Sequence, residues 1–169
     1  MSDLWQQMRN AWILAGVQIN PGATPDSIGR IEEKRCIRLP DELRDYLLVS
    51  NGMQEGEIDD ELISFHSLDL IDSEWEWNEG QLASDIAEEP MAHCGDRNNA
   101  TNCSHGFVDI VFADWLHNSH VYSLRLSRDG QPLGVWCLDG TNSKCLAETF
   151  SEFVAGYLSN ASETANPWA

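Results

Sequence analysis

The chain has 169 residues, with 28 acidic against 10 basic side chains and a formal net charge of −18. That length suits one domain able to bury about two-thirds of the surface its unfolded chain exposes. The charge repels nucleic acid and anionic membranes, and no apolar run approaches the about 18 residues that a membrane-spanning helix needs. The start of the chain has Asp3 and no early lysine, unlike the basic and apolar blocks of a secretory signal, so a cytoplasmic location is expected. The five cysteines, Cys36, Cys94, Cys103, Cys137 and Cys145, are odd in number and irregularly spaced, which predicts reduced thiols and no disulfide framework.

The first predicted element is a helix from Ser2 to about Gly16, with Leu4, Trp5, Met8, Trp12 and Ala15 on one side; Asn20-Pro21-Gly22 breaks it. Thr24 is a good N-cap and Pro25 needs no amide hydrogen at a first helical position, so a second helix runs from Pro25 to Arg35 with Ile28 and Ile31 inward. Pro40 starts a third helix, with Asp41 and Glu42 in its first turn and Leu43, Tyr46 and Leu47 on one face. Asn51-Gly52 supplies the left-handed residues that end it.

Leu62 to His66 reads as a short strand, residues 69–89 mix helix signals around Gly80, and residues 90–106 have the composition of a loop. Phe107 to Phe112, His120 to Leu126 and Leu133 to Leu138 show strand alternation, with a hairpin turn at Ser127-Arg128-Asp129-Gly130. Tyr122, Leu124 and Leu126 share one face, and Leu133, Val135 and Cys137 share another. Thr149 and Glu152 form a capping box for a last helix whose Phe150, Phe153, Val154 and Tyr157 turn inward. The expected class is α+β: one domain over residues 1–160, a mainly antiparallel sheet with helices packed at both chain ends, and a frayed tail at 161–169.

Catalytic chemistry finds little support. His117 and His120 have a spacing that two zinc ligands can use, but His93, Cys94, Cys103 and His105 lack the paired spacing of a structural site, so no metal is expected. A nucleophilic cysteine needs an electropositive setting, which a chain this acidic opposes, and Cys137 reads as a small buried residue. Gly-rich phosphate loops, a Gly-x-Ser-x-Gly elbow and a His-Glu-x-x-His pair are absent from the sequence. The chain is therefore expected to be no enzyme and to carry no cofactor.

The acidity is concentrated. Between Gln54 and Glu89 stand thirteen Asp or Glu and no Lys or Arg. Such a stretch either keeps the protein soluble or attracts a basic partner. Trp75 and Trp77 among Glu74, Glu76 and Glu79 favour the second, because large apolar area mixed with charge suits a protein contact, although either tryptophan also fits a core position. The candidate partner-binding residues are Glu55, Glu57, Asp59, Asp60, Glu61, Glu74, Glu76, Trp77 and Glu79, with Trp77 as the apolar anchor.

An apolar residue followed by Glu32, Leu39-Pro40-Asp41-Glu42-Leu43-Arg44, Tyr46-Leu47 and Asn51-Gly52 resembles the opening of the SUKH superfamily, which includes yeast cell-wall regulators and bacterial immunity proteins. The segment from Ala147 to Leu158 looks like that family's closing helix, so the resemblance spans about residues 20–160. It implies an immunity protein that binds a cognate bacterial toxin, such as a nuclease, and covers its basic active-site surface. A scaffold or regulatory protein binding a cellular protein is the alternative, and a metal-dependent hydrolase using the His/Cys cluster is a third.

Overall fold

A computed structural model describes residues 3–74, 107–127, 129–139 and 142–159. Helix α1 (Asp3–Leu14) buries Trp5, Met8 and Trp12 along one stripe. Helix α2 (Pro25–Arg35) begins at a capping box: the Ser27 amide donates to Thr24 Oγ1, and the Thr24 amide donates to Ser27 Oγ. It ends at Cys36, whose left-handed φ of 51° lets its amide donate back to the carbonyls of Glu32 and Glu33.

Helix α3 (Asp41–Val49) follows at once. Pro40 is its extended N-cap, one residue before the position expected for it, and Ser50 closes the helix in an extended conformation. The left-handed residue is Gly52, at φ +70°, and its role lies in packing and not in helix termination. A Cβ there would stand 2.4 Å from the His66 carbonyl, so only glycine lets this turn lie against the chain leaving β1 (Ile63–Phe65).

Residues 68–74 are helical (α4). Strands β2 (Phe107–Trp115), β3 (His120–Ser127), β4 (Pro132–Asp139) and β5 (Asn142–Ala147) then run as an antiparallel meander, with β1 added to β2, in the order β1-β2-β3-β4-β5. Helix α5 (Phe150–Ser159) covers the sheet and meets α1 and α3. The α+β class with an antiparallel sheet is as expected, and β5 is an addition that its polar sequence does not announce. Leu133 departs from the expected face. Leu124 pairs with Val135 while Leu126 pairs with Pro132, so β4 holds an extra residue there and Leu133 turns outward, 47% exposed.

The core joins helices to sheet through aromatic rings. Trp5 stacks on Phe150 at 5.3 Å, Phe150 meets Phe112 edge-on at 4.9 Å, and Trp12 tilts over Phe65 at 5.0 Å. On the sheet's other face the Arg125 guanidinium lies over Phe107 at 3.8 Å and Trp136 at 4.2 Å while binding both carboxylate oxygens of Asp109. Neither the buried Cys137 nor the exposed Cys145 is in a disulfide. Cys36 is disulfide-bonded, which corrects the expectation of five reduced thiols. Cys36 stands at the exposed end of α2.

Candidate partner-binding groove

The residues of the recognised opening serve the helix corner. Both carboxylate oxygens of Glu32 accept from Arg44 Nη1 at 2.5 Å, and Glu32 Oε1 also takes the Leu39 amide at 2.8 Å. One α2 side chain therefore fixes the Leu39-Pro40 turn and the start of α3, and the guanidinium's pKa rises through its hydrogen bond to Glu32. Glu42 reaches from α3 to the first turn of α5, accepting from the Ser151 amide at 3.2 Å and its hydroxyl at 2.7 Å. Asp72 on α4 binds Lys34 and Arg35 at the end of α2, each at 2.7 Å. Burial would raise the pKa of Asp72, but these two cations outweigh it and hold its carboxyl below the usual range.

The acidic residues after α3 have different fates. The chain turns at Gly56 and folds back, with the Met53 amide donating to Phe65 O and the Gln54 amide to Gln18 O. Glu55 is exposed, and Glu57 is half-buried with Oε2 accepting from the Gln18 amide at 3.0 Å. Asp60 is exposed and Glu61 half-buried.

Asp59 does not belong to the outer surface. Its Oδ1 accepts from the Glu61 and Ile63 amides, both at 2.9 Å, and its Oδ2 accepts from the Tyr157 hydroxyl. That hydroxyl in turn accepts from Trp12 Nε1 at 2.8 Å. Asp59 is thus a buried clasp between the turn, α5 and α1, correcting its assignment as a contact residue, and burial together with Asp59 pushes the Tyr157 pKa up. Glu74 is half-buried at the end of the described part of α4; Glu76, Trp77 and Glu79 lie outside the described residues, as do Trp75, His93, Cys94, Cys103 and His105.

Between the 53–58 turn, β1, the start of α4 and the β2–β3 hairpin lies a groove of about 540 Å³. It brings Glu55 and Glu57 together with Asp69, Asp114 and His117, residues the sequence reading did not place in the site. Asp114 Oδ2 pairs with Nε2 of the buried His66 at 3.0 Å, and its Oδ1 accepts from the Asn118 amide at 2.9 Å. Burial alone would raise the Asp114 pKa, but these two hydrogen bonds prevail and lower it. They also secure the hairpin tip, where Leu116, His117 and Asn118 have φ of 47°, 53° and 66° in succession. The signal for Asp114 was present as an acid inside the apolar strand Phe107 to Trp115.

A helix pair locked through Glu32, a meander sheet and a closing helix define an α+β domain with its acidic groove on the β1 side of the sheet. Residues 22–156 match the model of the SMI1 / KNR4 family (SUKH-1), and the chain belongs to that family. This membership fits a protein-binding role, in immunity or in regulation. Comparison with the curated proteins finds no match. Among the described residues no helix is long and apolar enough to cross a membrane.

Proposed function

We propose that the protein is a non-enzymatic, cytoplasmic immunity protein that neutralises a cognate bacterial toxin by covering a basic catalytic surface, as on a nuclease. The carrying observation is the acidic stretch, thirteen carboxylates and no cation between Gln54 and Glu89, in a chain of this family. A nuclease holds its phosphate backbone with Lys and Arg, so an acidic inhibitor competes for the same field and is steered onto it. The contact residues proposed are Glu55, Glu57, Asp60, Glu61 and Glu74 among the described residues, together with Glu76, Trp77 and Glu79, which follow in sequence.

The test is co-expression with the toxic C-terminal domain of a large secreted protein encoded beside this gene. Survival with the chain present, together with a complex recovered by pull-down, supports the proposal. Toxin killing at the same rate with and without the chain overturns it, and capture of a cellular protein instead would favour a regulatory scaffold.

A further inference from the structure

We propose that the groove receives an arginine- or lysine-bearing loop of the protein partner, with Glu55 and Asp69 as the carboxylates that meet the cation and Leu70 as the apolar contact. This deepens the protein-binding reading above and rests on it.

The lining has two chemistries. Met53, Ile58 and Phe65 give it apolar walls, and no Lys or Arg is among the residues that line it. Of its four carboxylates, Glu57 and Asp114 are occupied by the Gln18 amide and by His66 and Asn118. Glu55 and Asp69 carry no hydrogen bond or ion pair among the described residues and are both exposed.

Apolar exposure gives an independent mark. Leu70 lines the groove and is 40% exposed. A leucine held outward on a concave acidic surface suits an aliphatic stem that ends in a cation, which is what arginine and lysine present. A purely anionic coat that keeps a protein soluble has no need of it.

The probe is the peptide acetyl-Gly-Leu-Arg-Arg-Leu-Gly-amide, titrated into the whole chain and followed through backbone amide shifts in NMR at low salt. A version with glutamate in place of arginine serves as control. Shift changes confined to residues 53–58, 67–70 and 116–118, absent with the glutamate peptide, support the proposal. The double variant E55Q/D69N should weaken binding about threefold or more, given the strength of exposed charge pairs. D26N/E33Q, which removes the same charge from the outer face of α2, should leave it unchanged.

Changes spread evenly over the acidic surface, equal weakening by both double variants, or no binding would overturn it. Peptide bound in the groove by a chain that protects against no toxin would keep this proposal and sink the immunity reading, so the two fail separately.

Discussion

The helix corner and the acidic turn use the same residue types to opposite ends. At the corner, Glu32, Glu42 and Asp72 each meet an arginine, a lysine, a hydroxyl or a backbone amide, and their charge is consumed in holding α2, α3, α4 and α5 together. Around the groove, Glu55, Asp60 and Asp69 stay exposed without a partner among the described residues, and only Asp59, Glu57 and Asp114 are tied inward. A carboxylate's role is thus decided by what its neighbours donate, and substitutions that look equivalent in sequence should separate into stability effects and binding effects.

The largest expected effect lies where the two regions join. Gly52→Ala forces a Cβ to 2.4 Å from the His66 carbonyl at a φ of +70°, so the turn must leave β1. A loss of about 4 kcal/mol is expected in urea unfolding. A wild-type midpoint would show that the turn yields freely and that the corner does not brace the groove.

Asp59→Ala comes next. It strands the Tyr157 hydroxyl and the Glu61 and Ile63 amides, for a cost of about 3 kcal/mol, whereas an outer contact residue would cost almost nothing. Thermal unfolding distinguishes the two outcomes.

Acid separates the regions more gently. The folded-state pKa values of Asp72 and Asp114 are both lowered. Their contribution is therefore complete above the unfolded carboxylate value of about 4 and drains as the pH falls through the depressed folded values. Asp114→Asn should shrink the fall in melting temperature between about pH 5 and about pH 3. An unchanged acid limb would show that Asp114 keeps an ordinary pKa.

Much of the fold was legible because helix signals are local. Thr24, Pro25, Pro40 and the stripes of Trp5, Met8, Trp12, Leu43, Tyr46 and Leu47 fix α1 to α3 within a few residues, and the structure buries those apolar side chains. β5 was missed because an edge strand of Asn, Ser, Lys and Cys takes its conformation from β4 and not from its own pattern. The groove was half legible. Glu55 and Glu57 stand in an obvious acidic run, but Asp69, Asp114 and His117 reach it from α4 and the β2–β3 hairpin, through pairings such as Ser64 with Asp114 that periodicity does not reveal. Asp59 was misplaced for the same reason, since its partner Tyr157 lies 98 residues away.

The smallest effect on stability should carry the largest effect on association. Glu55→Lys and Asp60→Lys together alter exposed side chains with no internal hydrogen bond, so the melting free energy should move by no more than about 0.5 kcal/mol. Exposed charges act over about 8 Å at physiological ionic strength, and what they chiefly set is the rate of encounter with an oppositely charged partner. The double variant should therefore slow association with the basic partner at low salt while dissociation changes little, and the difference from wild type should fade as salt rises. Trp77→Ala should do the reverse, speeding dissociation through loss of an aromatic anchor without altering the salt dependence. Stopped-flow binding read beside thermal melting decides both. An association rate untouched by the charge reversal at low salt would make the acidic turn a solubility device, and a sharp drop in melting temperature on Trp77→Ala, with binding intact, would make that tryptophan part of the core.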